Sequence, residues 1–199
     1  VVMRDSGGSD AGTAIIMDGV WSSGAFSNVT WSNIHGGFRI ASVQNFFLED
    51  LTFINLGTNL YPMEFAMSRP SPTPNVTFSG LIRIEETPNA VAGFFAEAAV
   101  AHFLSNPANP ARGESINTSS VVQLQLGEYF TDPELIIWEM ESVLLQSNLP
   151  NAFAFKILEN GPINLTVRGD MNITGAGILY SPRSPSDSVV TFGGAVRCS

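Results

Sequence analysis

The chain has 199 residues, of which 44% are apolar and only 14% charged, and its formal net charge is −9. Disorder needs few apolar groups and many charges, a coiled coil has no place for 18 Gly and 12 Pro, and one cysteine makes neither a disulfide scaffold nor a zinc ribbon. The nine Lys and Arg do not cluster, so neither nucleic acid nor an anionic membrane surface is expected as a partner.

In chain order, residues 1–12, with Asp5-Ser-Gly-Gly-Ser-Asp10, read as a flexible tail. Residues 13–17, 26–31, 38–43 and 45–56 read as strands, being rich in β-branched and aromatic residues and bounded by Gly, Asn and Ser. Within them Asn28-Val-Thr-Trp-Ser-Asn-Ile34 and Asp50-Leu-Thr-Phe-Ile-Asn-Leu56 share one frame at an offset of 22 residues. A period in the twenties is the signature of a β-solenoid. Residues 13–57 resemble the rungs of right-handed parallel β-helices of the pectin-lyase-like kind, and residues 163–179 resemble them more faintly. The resemblance implies a β-solenoid and a carbohydrate-active or carbohydrate-binding role.

Residues 58–80 form a Pro-rich connection ending in a strand at 76–78, which 81–84 continue. Residues 89–104 are Ala-rich, with apolar positions near helical spacing, a capping Asn89 and a stop at Ser105-Asn-Pro107; they predict a first α-helix. Glu97 and His102 interrupt this stretch, which is too short and too polar for a membrane span. Residues 121–126 alternate as a strand does. Asp132-Pro133-Glu134 is a helix-start signal, and Ile136, Met140, Val143 and Leu144 share one helical face, so a second α-helix is predicted over 133–147. Residues 152–158, 163–167, 171–179 and 189–196 read as strands. The fold class expected is mainly β with two α-helices, arranged as a β-solenoid or a β-sandwich. No stretch is poor enough in apolar groups to divide residues 1–199, which read as one domain and as a mature or excised part of a longer secreted protein.

Catalytic constellations are thin. Gly-X-Ser-X-Gly does not occur, and Cys198 next to the last residue is a poor nucleophile. His35 lies in a turn and His102 on the predicted first helix, so the two histidines make no zinc site. Glu49-Asp50 and Glu85-Glu86 are adjacent pairs, which a strand turns to opposite faces. A polysaccharide lyase of the β-helix kind requires an Asp cluster for calcium, whereas the seven aspartates here are scattered. No catalytic, cofactor or metal residue is therefore assigned, and the chain leans away from being an enzyme.

Five Asn-X-Ser/Thr sequons stand at Asn28, Asn75, Asn117, Asn164 and Asn172, none with Pro at X. Used, they place the chain in a eukaryotic-type secretory route with bulky sugar on its surface. Ser/Pro segments at 68–74 and 181–186 fit the same compartment. Cys198 is a candidate for an intermolecular disulfide, and Arg168-Gly169-Asp170 is a tripeptide read by some adhesion receptors. A compact monomer of this mass exposes roughly 9,000 Å², so its charge density is about half that of an ordinary domain. Glycans or neighbouring copies would cover such a surface. The expected function is a secreted, glycosylated structural protein that self-assembles into an extracellular filament, wall or sheath. The alternatives are a carbohydrate-binding or carbohydrate-active β-helix module and a cell-adhesion domain.

Overall fold

A computed structural model describes residues 2–4, 15–17, 21–33, 38–41, 43–55, 63–67, 75–86, 94–98, 101–117, 120–126, 135–149, 152–159, 162–174, 178–182 and 188–199. Among them every regular element is a β-strand. In chain order the strands alternate between two sheets. β1 (Val2–Arg4) of the larger sheet is followed by β2 (Ile15–Met17) of the smaller, β3 (Trp21–Ser32) by β4 (Phe38–Ala41), β5 (Val43–Ile54) by β6 (Met63–Met67), and β7 (Asn75–Glu85) by β8 (Phe94–Ala98). Thereafter the larger sheet receives two strands per coil. These are β9 (Ala101–Ser105) and β10 (Arg112–Ile116) before β11 (Ser120–Leu126), and β12 (Ile136–Met140) and β13 (Ser142–Gln146) before β14 (Phe153–Glu159). β15 (Ile163–Val167) and β16 (Met171–Thr174) then precede β17 (Ile178–Pro182), and β18 (Val189–Phe192) and β19 (Val196–Cys198) come last.

Every pairing is parallel, each strand lying on its counterpart from the coil before. This is a parallel β-solenoid, which settles the choice against a sandwich. The echo seen in the sequence is its register: Val29 faces Leu51, Thr30 faces Thr52 and Trp31 faces Phe53. Of the residues read as a tail, 2–4 form β1 and pair with Thr30–Ser32; residue 1 and residues 5–12 lie outside the described residues.

The division of the larger sheet begins as a kink. Asn28 (φ 54°), Asp50 (φ 48°) and Gly80 (φ 65°) take the left-handed conformation within β3, β5 and β7. Asn and Asp enter this region more readily than other side chains. At Gly80 a Cβ would collide with Asp50 Oδ1, which instead accepts the Leu81 amide at 2.9 Å. Glu49 faces Ser79 but Leu51 faces Ile82, so two residues stand opposite Asp50 as in a β-bulge. A second left-handed corner closes the same sheet at Asn33 (φ 53°), Asn55 (φ 51°), Glu86 (φ 52°) and Asn117 (φ 53°). Their amides donate in turn to Ile54, Glu85, Ile116 and Gln146 carbonyls at 3.1, 2.9, 3.0 and 2.8 Å. Asn55 Nδ2 donates to Asn33 Oδ1 at 2.7 Å, and Asn117 Nδ2 to Glu86 Oε1 at 2.7 Å.

The strands enclose one apolar core. Trp31 stacks on Phe53 with ring centroids 4.7 Å apart and planes 5° from parallel. Phe103 lies 5.2 Å from Phe65 and 4.7 Å from Trp138, and Phe78 lies 5.3 Å from Trp138. Such pairs contribute about 0.5–1.5 kcal/mol beyond their area burial.

Neither predicted helix is present among the described residues. Within 89–104 the chain forms β8 and β9, and within 133–147 it forms β12 and β13; residues 89–93, 99–100 and 133–134, with the helix-start signal Asp132-Pro133-Glu134, lie outside the described residues. The physical reason is the corner. Ile136, Trp138 and Met140 are buried in alternation; the chain then turns at Glu141, and Val143 and Leu145 are buried. That one-residue skip places Ile136, Met140 and Val143 four and three residues apart, which is also helical spacing. Trp138 decides between the two, because a helix turns the second residue of such a run away. Leu144, assigned to the helical face, is half-buried on the outer side of β13.

Replacing Trp138 by Ala removes the ring that Phe78 and Phe103 share, and is expected to destabilise the chain by about 3–5 kcal/mol. Urea unfolding at an unchanged m-value measures this; a loss below about 1 kcal/mol contradicts the shared aromatic core.

Candidate functional site

Alternation leaves the outer positions of each strand to form rows running from coil to coil. Ser23, Asn45, Asn75 and His102 make one row, each opposite the next. Ala25, Phe47, Thr77 and Leu104 make the next row along the same face. Between the rows lies a shallow groove of about 220 Å³, lined by Ser23, Asn45, Phe47, Asn75 and Thr77. Its floor is Gly24 and Phe46, where a Cβ on Gly24 would meet the Phe46 ring. No charged side chain lines it. At one end of the groove His102 Nδ1 lies 3.1 Å from Asn75 Oδ1.

The five sequon asparagines all lie on outer positions or at corners, and none belongs to the core. Asn28 is exposed at the first corner, and Asn117 is half-buried at the second. Asn75 and Asn164 are half-buried on outer positions of β7 and β15, and Asn172 is exposed on β16.

Arg168-Gly169-Asp170 forms the corner between β15 and β16 and is built into the ladder of coils. The Arg168 amide donates to Met140 O at 3.0 Å and that of Gly169 to Glu141 O at 2.6 Å. The Arg168 guanidinium pairs with Glu139 at 2.9 Å, and Asp170 with Arg197 at 2.6 Å. Asp170 also accepts the Ala195 amide at 3.0 Å. These contacts hold its carboxyl below the usual carboxylate range, first through the Arg197 hydrogen bond, then the Ala195 amide and the Arg197 charge.

Cys198 is exposed and free in β19. It borders a second shallow groove of about 230 Å³ with Asn172, Thr174 and Arg197. On the face after the kink, Arg83 binds Glu85 at 2.8 Å and lies 3.6 Å from Glu114 across the coils. Glu49, Ser79, Asn106 and Asn109 form a hydrogen-bonded cluster at the first corner, with Ser79 Oγ donating to Glu49 Oε1 at 3.2 Å and Asn106 Nδ2 donating to Ser79 Oγ at 3.2 Å. Among the described residues no three His, Cys, Asp or Glu side chains gather as a metal site would require, and no helix is long and apolar enough to cross a membrane. His35, the Ser/Pro segment at 68–74 and residues 183–186 of the one at 181–186 lie outside the described residues.

Sequence reasoning named the sequons but missed the groove beside Asn75. Asn45-Phe-Phe47 lies against Asn75-Val-Thr77 at an offset that differs from the one in the echo, so the spacing carried no signal for it. Arg197, the partner of Asp170, carried no local signal. Compared with protein-family models, with curated proteins and with solved structures, the chain has no match.

The Asp170 carboxylate favours the folded state above its ordinary pKa, and that contribution is lost as the pH falls through its lowered folded value. Changing Arg197 to Gln is expected to move the Asp170 carboxyl titration, followed by carbon-13 NMR, upward toward the ordinary range. An unmoved titration contradicts the pairing.

Proposed function

We propose that the chain is a secreted, N-glycosylated structural solenoid whose copies assemble into an extracellular filament, wall or sheath. The single observation that carries this reading is the position of the sequons: all five asparagines lie on outer positions or at corners of a regular stack of coils, and none belongs to the core. Copies of the chain are the partner proposed.

The rest of the outer surface supports the same reading. Its rows are mostly uncharged polar residues, among them Thr30, Thr52, Thr77, Thr166, Asn45 and Asn172. Attached sugar would confine association to the surface it leaves bare. Cys198, exposed in β19, would fix such a contact covalently.

Sedimentation velocity on protein secreted by a eukaryotic host tests this. Association that grows with concentration is expected. A strictly monomeric wild type across the micromolar range overturns the proposal. The mass of the secreted chain is expected to fall on enzymatic deglycosylation.

A further inference from the structure

We infer that the groove on the face of β3, β5 and β7 seats the first sugar of an N-glycan carried by Asn75, so that this glycan is packed against the solenoid. The inference rests on the glycoprotein reading above and adds to it a site and an occupant. Three observations converge on one place. Asn75 and Thr77, the two residues that define the sequon, both line the groove. Phe47 stands directly opposite Thr77 on the neighbouring strand and is only half-buried, although its position faces outward. The cavity, about 220 Å³, is lined by a hydroxyl of Ser23, the amide of Asn45 and the Phe47 ring, without a charged side chain.

That lining matches an N-acetylhexosamine. A pyranose presents one face of axial C–H groups, which an aromatic ring covers, and a rim of hydroxyl and acetamido groups, which amides and hydroxyls bind. A phosphate or uronate would find no cation here. Attachment exchanges one Nδ2–H of Asn75 for a bond to C1 of the sugar, with a lipid diphosphate as the leaving group and the proton released. The carbonyl oxygen is untouched, so the Asn75 Oδ1 contact with His102 at 3.1 Å survives and fixes the side chain from which the sugar extends. The other sequon asparagines do not line this groove.

The test uses chain secreted with N-glycans and trimmed by an endoglycosidase to one N-acetylglucosamine per site. Glycopeptide mass first establishes occupancy at each sequon. Melting temperatures are then compared for the wild type, Asn75→Gln, Phe47→Ala and the double variant. Loss of the Asn75 sugar is expected to lower Tm by about 2–4 °C when Phe47 is present and to change nothing when it is Ala. In the wild type, nuclear Overhauser contacts are expected between the sugar ring protons and Phe47, which keeps the inference testable should Phe47→Ala not fold. An occupied Asn75 with neither coupling nor contacts overturns the inference and leaves the glycoprotein reading standing, as does a bare Asn75 beside other occupied sequons. No sugar at any sequon overturns both.

Discussion

In-register parallel stacking is the constraint on which everything else depends. Once Trp31 lies over Phe53 and Thr30 over Thr52, each position along a strand is committed to the inside or the outside for the length of the coil. A one-residue slip would move every side chain to the other face. The inner positions are therefore apolar and broad, and Phe65, Phe78, Phe103 and Trp138 join several coils into one cluster. No coil could bury its inner face alone; its neighbours supply the other wall.

The corners make this stacking compatible with a closed coil. Left-handed residues at Asn28, Asp50 and Gly80, and again at Asn33, Asn55, Glu86 and Asn117, turn the chain without a loop. They also stack: Asn55 bonds Asn33, and Asn117 bonds Glu86. A composition rich in Asn, Gly and Thr but poor in charge is what such a coil requires, since turns need left-handed residues and outer positions need β-formers that water tolerates. Much of the apolar fraction is spent on the core.

The sequence made part of this legible. The 22-residue echo pointed to a solenoid, one of the two arrangements expected, and carried its register, because there the coil repeats without insertion and the same frame recurs in β3 and β5. Later coils differ in length, so Asn75 over Asn45 and His102 over Asn75 could not be read from spacing. The helix expected around Ile136 arose because a strand, a one-residue corner and a second strand imitate helical spacing, whereas in the Ala-rich stretch before Leu104 composition favoured a helix where β8 and β9 form. Propensity yielded to stacking, since a strand there completes the ladder between β7 and β12. The sequon at Asn75 was visible, whereas its pairing with Phe47 depends on a cross-strand register that no local pattern encodes.

Thiol accessibility on neighbouring residues of β13 tests the stacked-coil account most directly. In a Cys198→Ser background, single Leu144→Cys and Leu145→Cys variants are labelled under native conditions. The account predicts fast reaction at 144, on the outer face, and slow reaction at 145, buried in the core. Protection at 144 with ready labelling at 145 would mean that this segment is not a strand of the solenoid, and the rows and the groove would go with it.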